Sequence, residues 1–307
     1  PARHTGAKYL FDYPDIKGLP EKHSVQNISP YLLDTPDIII GKRSKPISGE
    51  AEMVNGSKPT DGGNLLLSTA EKQALIAAEP LAAQYIRPFL GAEEFLNGKE
   101  RWCLWFHGIS ETRLNHDLKQ MPQTAQRIDN VRQMRLVSKD KQTQKDAATP
   151  HLFQKIRQPA SGNYLLIPSV SSEARAFIPI GYLDSDTIAS NLVFCLPNAT
   201  PYHFGILCST MHNAFMRTVA GRLKSDYRYS NIIVYNNFPF PFAPQSEGRP
   251  ASAAEQKHRA AIEAAAQAVL DARAFYRREA AQEGLPPPIL ADLYRPDAPF
   301  TRLHQAH

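Results

Sequence analysis

The sequence contains partial matches to several catalytic motifs, and each match lacks something that the chemistry requires. Amino-methyltransferases hold the target amino group with Asn/Asp-Pro-Pro-aromatic, whereas residues 236–239 read Asn-Asn-Phe-Pro. We interpret this segment as an extended strap, held by its prolines, whose aromatic side chains are buried. The glycines at 56, 62 and 63 do not fit the Gly-x-Gly-x-x-Gly spacing of a cofactor-binding turn. The sequence therefore predicts no methyl-transfer site.

A nuclease site is also incomplete. Residues 15–17 read Asp-Ile-Lys, the Asp-x-Lys pattern of metal-dependent nucleases, but they lie between Pro14 and Gly18, which indicates a turn. A partner acid on a separate, earlier strand is missing, and so is a Gly-x-Ser-x-Gly nucleophile motif. We predict no catalytic residue in the chain. Whether the chain is part of an enzyme is left open by these motifs.

Metal-binding and disulfide patterns are also missing. The three cysteines, Cys103, Cys195 and Cys208, form no Cys-x-x-Cys pair, and the ten histidines show no His-x-x-x-His spacing. We therefore predict no structural metal, and a cytoplasmic location with reduced cysteines. No run of about 18 apolar residues is present, so we expect no membrane contact.

The positive signal is basic charge. The chain has a net charge of +5 and a pI near 9.0, a mild preference for polyanionic partners. Eight cations lie between 127 and 157, opposed by three Asp residues. Among them Arg132, Arg135 and Lys139 have the i, i+3, i+7 spacing of one helix face. This face is either a phosphate clamp or simply a solvated surface.

Two further segments suit nucleic-acid binding. Four cations, Arg217, Arg222, Lys224 and Arg228, alternate with Tyr227 and Tyr229. Arg binds phosphate or guanine with two parallel hydrogen bonds, although cations here could instead neutralise a helix C-terminus. The second segment, residues 169–175, is a polar tract between two apolar stretches, where a loop could read base edges.

The elements that position these residues predict an α+β fold, a mixed β-rich region followed by a mainly helical one. Strands are predicted at 9–13, 37–41, 101–106, 164–167, 176–180 and 191–196, with possible strand character at 231–236. Helices are predicted from the Ser68–Glu71 capping box to Pro80, over 80–87, within 110–140, from Thr200 through the apolar stripe to Val219, and from Ser252 to Gly284. A last helix begins near 302.

Several longer strings are more specific than composition. Examples are Gly-Lys-Arg-Ser-Lys-Pro at 41–46 and Lys-Pro-Thr-Asp-Gly-Gly-Asn at 58–64. The others lie at 29–32, 86–89, 156–159, 168–173, 188–191, 197–200, 203–207, 221–230 and 235–239. In this order they resemble the C-terminal portion of MmeI-like (type IIL) restriction–modification enzymes and related adenine-N6 DNA methyltransferases. The resemblance covers essentially the whole chain.

The resemblance implies a domain organisation and a function. Residues 1–27 would be an extended linker from a methyltransferase domain, 28–200 a DNA target-recognition domain, and 201–307 a helical C-terminal domain. Since the chain begins with Pro1 and a helix is just starting at its end, we expect a segment of a longer protein, truncated at the C-terminus. S-adenosylmethionine would bind in the missing domain, with no cofactor in this chain.

The partners implied are double-stranded DNA and the chain's own methyltransferase domain. We assign base reading to side chains in or beside the β-rich stretch, namely Arg157, Ser172, Glu173, Arg175 and Asn191. Phosphate binding is assigned to Lys42, Arg43, Lys45, Arg132, Arg135, Arg217, Arg222, Lys224 and Arg228. The alternatives are a self-sufficient hydrolase or nuclease, and a scaffold that only packs on the methyltransferase domain.

Overall fold

The chain alternates short strands and helices up to about residue 200 and is mainly helical after it, as predicted. A computed structural model describes residues 6–15, 17–242, 244 and 250–307. The strands are β1 Lys8–Asp12, β2 Glu21–Val25, β3 Val54–Asn55, β4 Leu66–Leu67, β5 Ile86–Leu90, β6 Trp102–Leu104, β7 Asn163–Pro168, β8 Val170–Ser171, β9 Gly181–Asp184, β10 Ile188–Ala189, β11 Val193–Pro197, β12 Gly221–Leu223 and β13 Asp226–Arg228.

The helices are α1 Thr69–Ala78, α2 Ala92–Asn97, α3 Glu111–Leu118, α4 Pro122–Leu136, α5 Lys141–Lys145, α6 Pro201–Cys208, α7 Thr210–Val219, α8 Ala253–Gln282, α9 Leu290–Leu293 and α10 Thr301–Ala306. Short 3₁₀ helices lie at Pro80–Tyr85, Asp146–Ala148 and Tyr235–Asn237. The capping box at Ser68 begins α1, and Ser252 caps α8 by accepting a hydrogen bond from the amide of Glu255. Gly284 follows α8 with a φ of 69°, a left-handed turn that ends the helix.

Within the described residues, the strands form four small sheets, ordered β1-β2, β10-β5-β6-β4, β3-β11-β7-β9 and β12-β13-β8. Pairing is antiparallel except between β10 and β5. The sheet containing β8 joins distant parts of the sequence, since its other strands, β12 and β13, lie in the region predicted to be mainly helical. Residues 1–27, predicted as an extended linker, contain the β1-β2 hairpin. Residues 1–5 and Ile16 of that segment lie outside the described residues.

The largest core crosses residue 200, where the sequence predicts a domain boundary. It contains Leu165 and Ile167 of β7 together with Phe204 of α6, Val269 of α8 and Leu303 near the C-terminus. A second core packs β4, β5 and β6 against α1, α3 and α4. Position 200 therefore does not separate two cores, and the helical half holds the strands of the preceding half in place.

Several predicted elements are wrong in detail. Residues 37–41 are irregular, with Ile38 and Ile39 62% and 75% exposed, because this segment runs beside the turn at 231–237 and not within a sheet. Residues 176–180 are not a strand, and 231–236 form turns that lead into a 3₁₀ helix. The segment 80–87 is a 3₁₀ helix followed by β5. The helix from Thr200 breaks at Ser209, which caps α7.

Candidate nucleic-acid interface

Two segments that the sequence assigned to different tasks are neighbours in the fold. β13 pairs with β8 in the register Tyr227↔Ser171 and Arg228↔Val170. The polar loop, residues 172–176, follows β8 directly, and the basic hairpin, residues 221–228, is formed by β12 and β13. This pairing therefore brings the predicted base readers Ser172, Glu173 and Arg175 beside the predicted phosphate contacts of the hairpin.

The basic hairpin presents its cations to solvent. Lys224 lies at the turn with a φ of 58°, a left-handed conformation that non-glycine residues adopt mainly in tight turns. Arg222 donates from Nη1 to the carbonyl of Ser225, 2.7 Å away, and its side chain is 44% exposed. Lys224 and Arg228 are exposed as well. The tyrosines of this segment are buried. Tyr227 and Tyr229 are 7% and 3% exposed, so they support the sheet from its buried side.

Contacts join the polar loop to the hairpin. Glu173 lies 3.7 Å from Arg222 as an ion pair between half-exposed side chains, and its amide donates to Oδ1 of Asp226 at 3.4 Å. Partial burial lowers the pKa of Arg175, and the nearby Asp226 opposes that shift. Both acidic and basic side chains thus lie at one exposed edge, where a carboxylate can accept from a base amino group and a guanidinium can donate to guanine.

Asn191 extends this surface. Ser169 donates from Oγ to the carbonyl of Leu192, and the amide of Tyr229 donates to the carbonyl of Ser169. A groove of about 430 Å³ is lined by Asn191, Ser169 and Val170. Because Val170 pairs with Arg228, the groove places Asn191 near the hairpin.

Arg157 is linked to the same region through the backbone. Its amide donates to Oγ of Ser57 at 3.0 Å, and Ser57 forms a parallel bridge with Ser190. This close approach requires Gly56, where an added Cβ would lie 2.3 Å from the carbonyl oxygen of Ser190. The Arg157 side chain is exposed.

The sequence assigned no role to Lys58, which pairs with Lys155 in an antiparallel bridge next to Ser57. Both lysines are exposed, so they add two cations on the side of Arg157. The two positions are 97 residues apart in the sequence (155 − 58 = 97). Neither periodicity nor local spacing could have indicated that they are neighbours.

Lys42, Arg43 and Lys45 form a separate exposed group. Their segment is held by the two asparagines that the sequence analysis weighed as a methyltransferase motif. Asn236 donates from Nδ2 to the carbonyl of Arg43 at 2.8 Å, and Asn237 accepts from Nε of Arg43 at 3.2 Å. Phe238 and Phe240 are 2% and 7% exposed, which confirms the predicted burial of the aromatic side chains. The predicted extended conformation is wrong for Asn236 and Asn237, which lie in the 3₁₀ helix Tyr235–Asn237.

The predicted phosphate contact at Arg135 is wrong. Its side chain is 0% exposed, and its guanidinium donates to five backbone carbonyls. These belong to Pro59, Thr60, Asp146, Thr149 and Leu152. The predicted face of Arg132, Arg135 and Lys139 does not exist, because Arg132 is exposed while Arg135 faces inward and α4 ends before Lys139. Arg135 cannot reach DNA.

Arg217 is also turned toward the protein. It is half-buried in the last turn of α7, and Nη2 donates to the carbonyls of Arg175 and Ala176. Its guanidinium lies 5.3 Å from the centre of the Tyr227 ring. The remaining predicted phosphate contacts are exposed. They are Lys42, Arg43, Lys45, Arg132, Arg222, Lys224 and Arg228.

Other chemistry finds little support in the part of the chain that the structure describes. Within it, no three His, Cys, Asp or Glu side chains are grouped as metal ligands would be. Burial raises the pKa of the Cys195 and Cys208 thiols to about 12, which disfavours the reactive thiolate. In the same described residues, no helix is long and apolar enough to cross a membrane.

Comparisons with known proteins agree with this geometry. The family model described as "MmeI, target recognition domain" matches residues 34–242. The chain is 41% identical over 235 residues to DNA methyltransferase A of Bacillus subtilis (strain 168), covering 76% of this chain and 25% of that protein. A solved structure of the type IIL restriction–modification enzyme MmeI in complex with DNA matches 99% of this chain and 37% of that one, with a TM-score of 0.85 and 41% identity.

The chain thus spans about a quarter of the length of the curated relative and about a third of the MmeI chain. The family match covers more than half of this chain and includes both the polar loop and the basic hairpin. The chain belongs to the MmeI target recognition domain family.

Proposed function

We propose that this chain recognises a short sequence in double-stranded DNA for a DNA methyltransferase. The observation that carries the proposal is the pairing of β8 with β13, which joins the polar loop and the basic hairpin into one exposed surface. Such a surface combines side chains that discriminate bases with cations that hold the duplex. The similarity to MmeI, whose solved structure is a complex with DNA, supports it.

The two tasks fall to different side chains. Arg157, Ser172, Glu173, Arg175 and Asn191 read base edges in the major groove, where each base pair presents a distinct set of donors and acceptors. Lys42, Arg43, Lys45, Arg132, Arg222, Lys224 and Arg228 bind phosphates, which sets the position of the protein without reading sequence. Arg222 connects the two groups of side chains, because it lies 3.7 Å from Glu173 as an ion pair.

Methyl transfer itself is assigned to residues outside the chain. We propose that a methyltransferase domain, joined to residues 1–27, binds S-adenosylmethionine and modifies adenine at N6 within the recognised site. The identity to a DNA methyltransferase four times the length of the matched region supports this arrangement, as does the lack of a cofactor-binding glycine motif in the sequence. The buried, unreactive cysteines fit a cytoplasmic location.

Selection from a randomised duplex pool tests the proposal. The 307-residue chain is incubated with the pool at several salt concentrations, and the retained duplexes are sequenced. A short consensus, with affinity that falls steeply as salt rises, is the expected result. Salt-sensitive binding without a consensus would contradict base reading by this chain, and no binding at low salt would contradict DNA recognition altogether.

A further inference from the structure

Helix α7 contacts the backbone of the polar loop and of the residues that follow it through two residues one turn apart, Asn213 and Arg217. Arg217 donates from Nη2 to the carbonyls of Arg175 and Ala176, the latter at 3.0 Å. Asn213 is 3% exposed, and its Oδ1 accepts from the amide of Ile178 at 3.1 Å. Because their i, i+4 spacing places the two side chains on one helix face, they hold the backbone that leaves the loop at consecutive points.

The Tyr227 ring links Arg217 to the hairpin. The guanidinium of Arg217 lies 5.3 Å from the ring centre and that of Arg222 lies 3.8 Å from it. Arg222 in turn pairs with Glu173 of the loop. Cation–π contacts of this kind keep a guanidinium over the ring, and a ring that is 7% exposed has little freedom to move. Arg217 therefore holds the polar loop from the side of α7, and Arg222 holds it from the side of the hairpin. Both guanidiniums lie close to the Tyr227 ring.

From these contacts we infer that Arg217 is a positioning residue: it sets the position of the polar loop for base reading and does not bind phosphate. The inference rests on the proposed function. Its chemical reason is that the two N–H groups of Arg217 Nη2 are both used by backbone carbonyls of the loop. Reading a base edge requires donors and acceptors at hydrogen-bond distances and angles, whereas the attraction between a cation and a phosphate persists when the cation is displaced. Losing Arg217 therefore affects sequence discrimination more than charge-driven affinity.

Arg217→Ala and Lys224→Ala form a matched pair, since each removes one positive charge. Affinity is measured for the selected duplex, for duplexes with single-base changes and across a salt series. For R217A, we expect the preference for the selected duplex over its single-base variants to fall about 10-fold at the bases read by the loop, with the salt slope unchanged. For K224A, we expect the slope to fall by about 1 and the preference to stay.

Arg217→Lys separates geometry from charge. Lysine keeps the charge but lacks the planar guanidinium, whose Nη2 reaches both carbonyls while the group lies beside the Tyr227 ring, so we expect a preference between those of the wild type and R217A. If R217A does not fold, R217K decides: wild-type preference in R217K would overturn the inference. A fall in salt slope in R217A with preference retained would identify Arg217 as a phosphate contact and would also overturn it. Failure of the wild type to select a consensus refutes the proposed function instead.

Discussion

Helix α4 and the basic hairpin each carry three cations but place them differently. In the first, Arg135 is buried among carbonyls and Arg127 pairs with Glu71 at 2.9 Å. In the second, Arg222, Lys224 and Arg228 are exposed on two strands of a three-stranded sheet. The difference shows that a run of cations does not by itself identify a nucleic-acid surface. The backbone carbonyls within reach decide whether an arginine faces the protein or the solvent.

The helical spacing of α4 contains the signal that separates the two cases. Ile128 and Val131 are 6% and 0% exposed, and Arg135 follows them at i+7 and i+4. That spacing places Arg135 on the apolar face of the helix, where only an arginine with many acceptors can be buried. Spacing relative to apolar residues is thus more informative than spacing among the cations themselves.

Replacing Arg135 has the largest expected effect. Arg135→Met removes five hydrogen bonds and leaves buried carbonyls unpaired, so we expect the free energy of unfolding to fall by about 3–5 kcal/mol. Urea denaturation measures this change. Arg132→Met, on the exposed side of α4, is the control and should change stability by less than about 0.5 kcal/mol. Equal effects of the two substitutions would remove the distinction between the segments.

Glu173→Gln tests the hairpin side of the comparison. A carboxylate accepts from a base amino group, whereas an amide both donates and accepts, so the preferred base at one position should change. We expect about 1–3 kcal/mol of altered discrimination at that position, measured by repeating the duplex selection. The exposed Glu283→Gln, beyond α8, should leave the selection as in the wild type. An unchanged consensus in both variants would show that the loop does not read bases.

Glu71, the partner of Arg127, predicts a smaller and pH-dependent effect. The hydrogen bond from the Ser68 amide, aided by Arg127, lowers the pKa of Glu71 from 4.5 to about 2. Because the folded pKa is lowered, the stabilisation is complete above pH 4.5 and is lost as pH falls toward 2. Glu71→Gln should therefore cost about 1 kcal/mol at pH 7, after allowance for solvent screening, and almost nothing near pH 2. Thermal unfolding of the wild type and the variant at both pH values measures this cost. An equal cost at pH 7 and near pH 2 would contradict this origin.

The smallest effect concerns Lys224 as an individual phosphate contact. Lys224→Ala should reduce the slope of log affinity against log salt by about 1 and leave the free energy of unfolding unchanged within about 0.5 kcal/mol. Filter binding across a salt series measures the slope. If the slope is the same as in the wild type, Lys224 is a solvated charge and not a phosphate contact.

Local signals predicted the elements that depend on local chemistry. The Ser68 capping box, the Ser252 cap and Gly284 placed the ends of α1 and α8, and the apolar stretches placed β7 and β11. The strand predicted at 37–41 was wrong because β-branched composition does not show whether a pairing partner exists. The hairpin β12-β13 could not be found locally, since it is completed by a strand about 55 residues earlier in the sequence.

The candidate site was predictable by residue type and not by arrangement. Side-chain chemistry selected Glu173 and Arg222 separately, but their ion pair depends on the β8-β13 pairing. The burial of Arg135 and the turning of Arg217 toward carbonyls follow from tertiary packing, which formal charge does not report. For the same reason, no spacing rule could predict that Lys58 and Lys155 are neighbours.

The central claim is that the polar loop lies against base edges of the bound duplex. Site-specific photocross-linking tests it directly, with a photoreactive phenylalanine at Ala174, which is exposed in the loop, and at Leu285, which is 56% exposed beyond α8. We expect position 174 to cross-link to a base inside the selected sequence and position 285 not to cross-link. Cross-links from 285 alone, or from 174 only to bases outside the selected sequence, would contradict it.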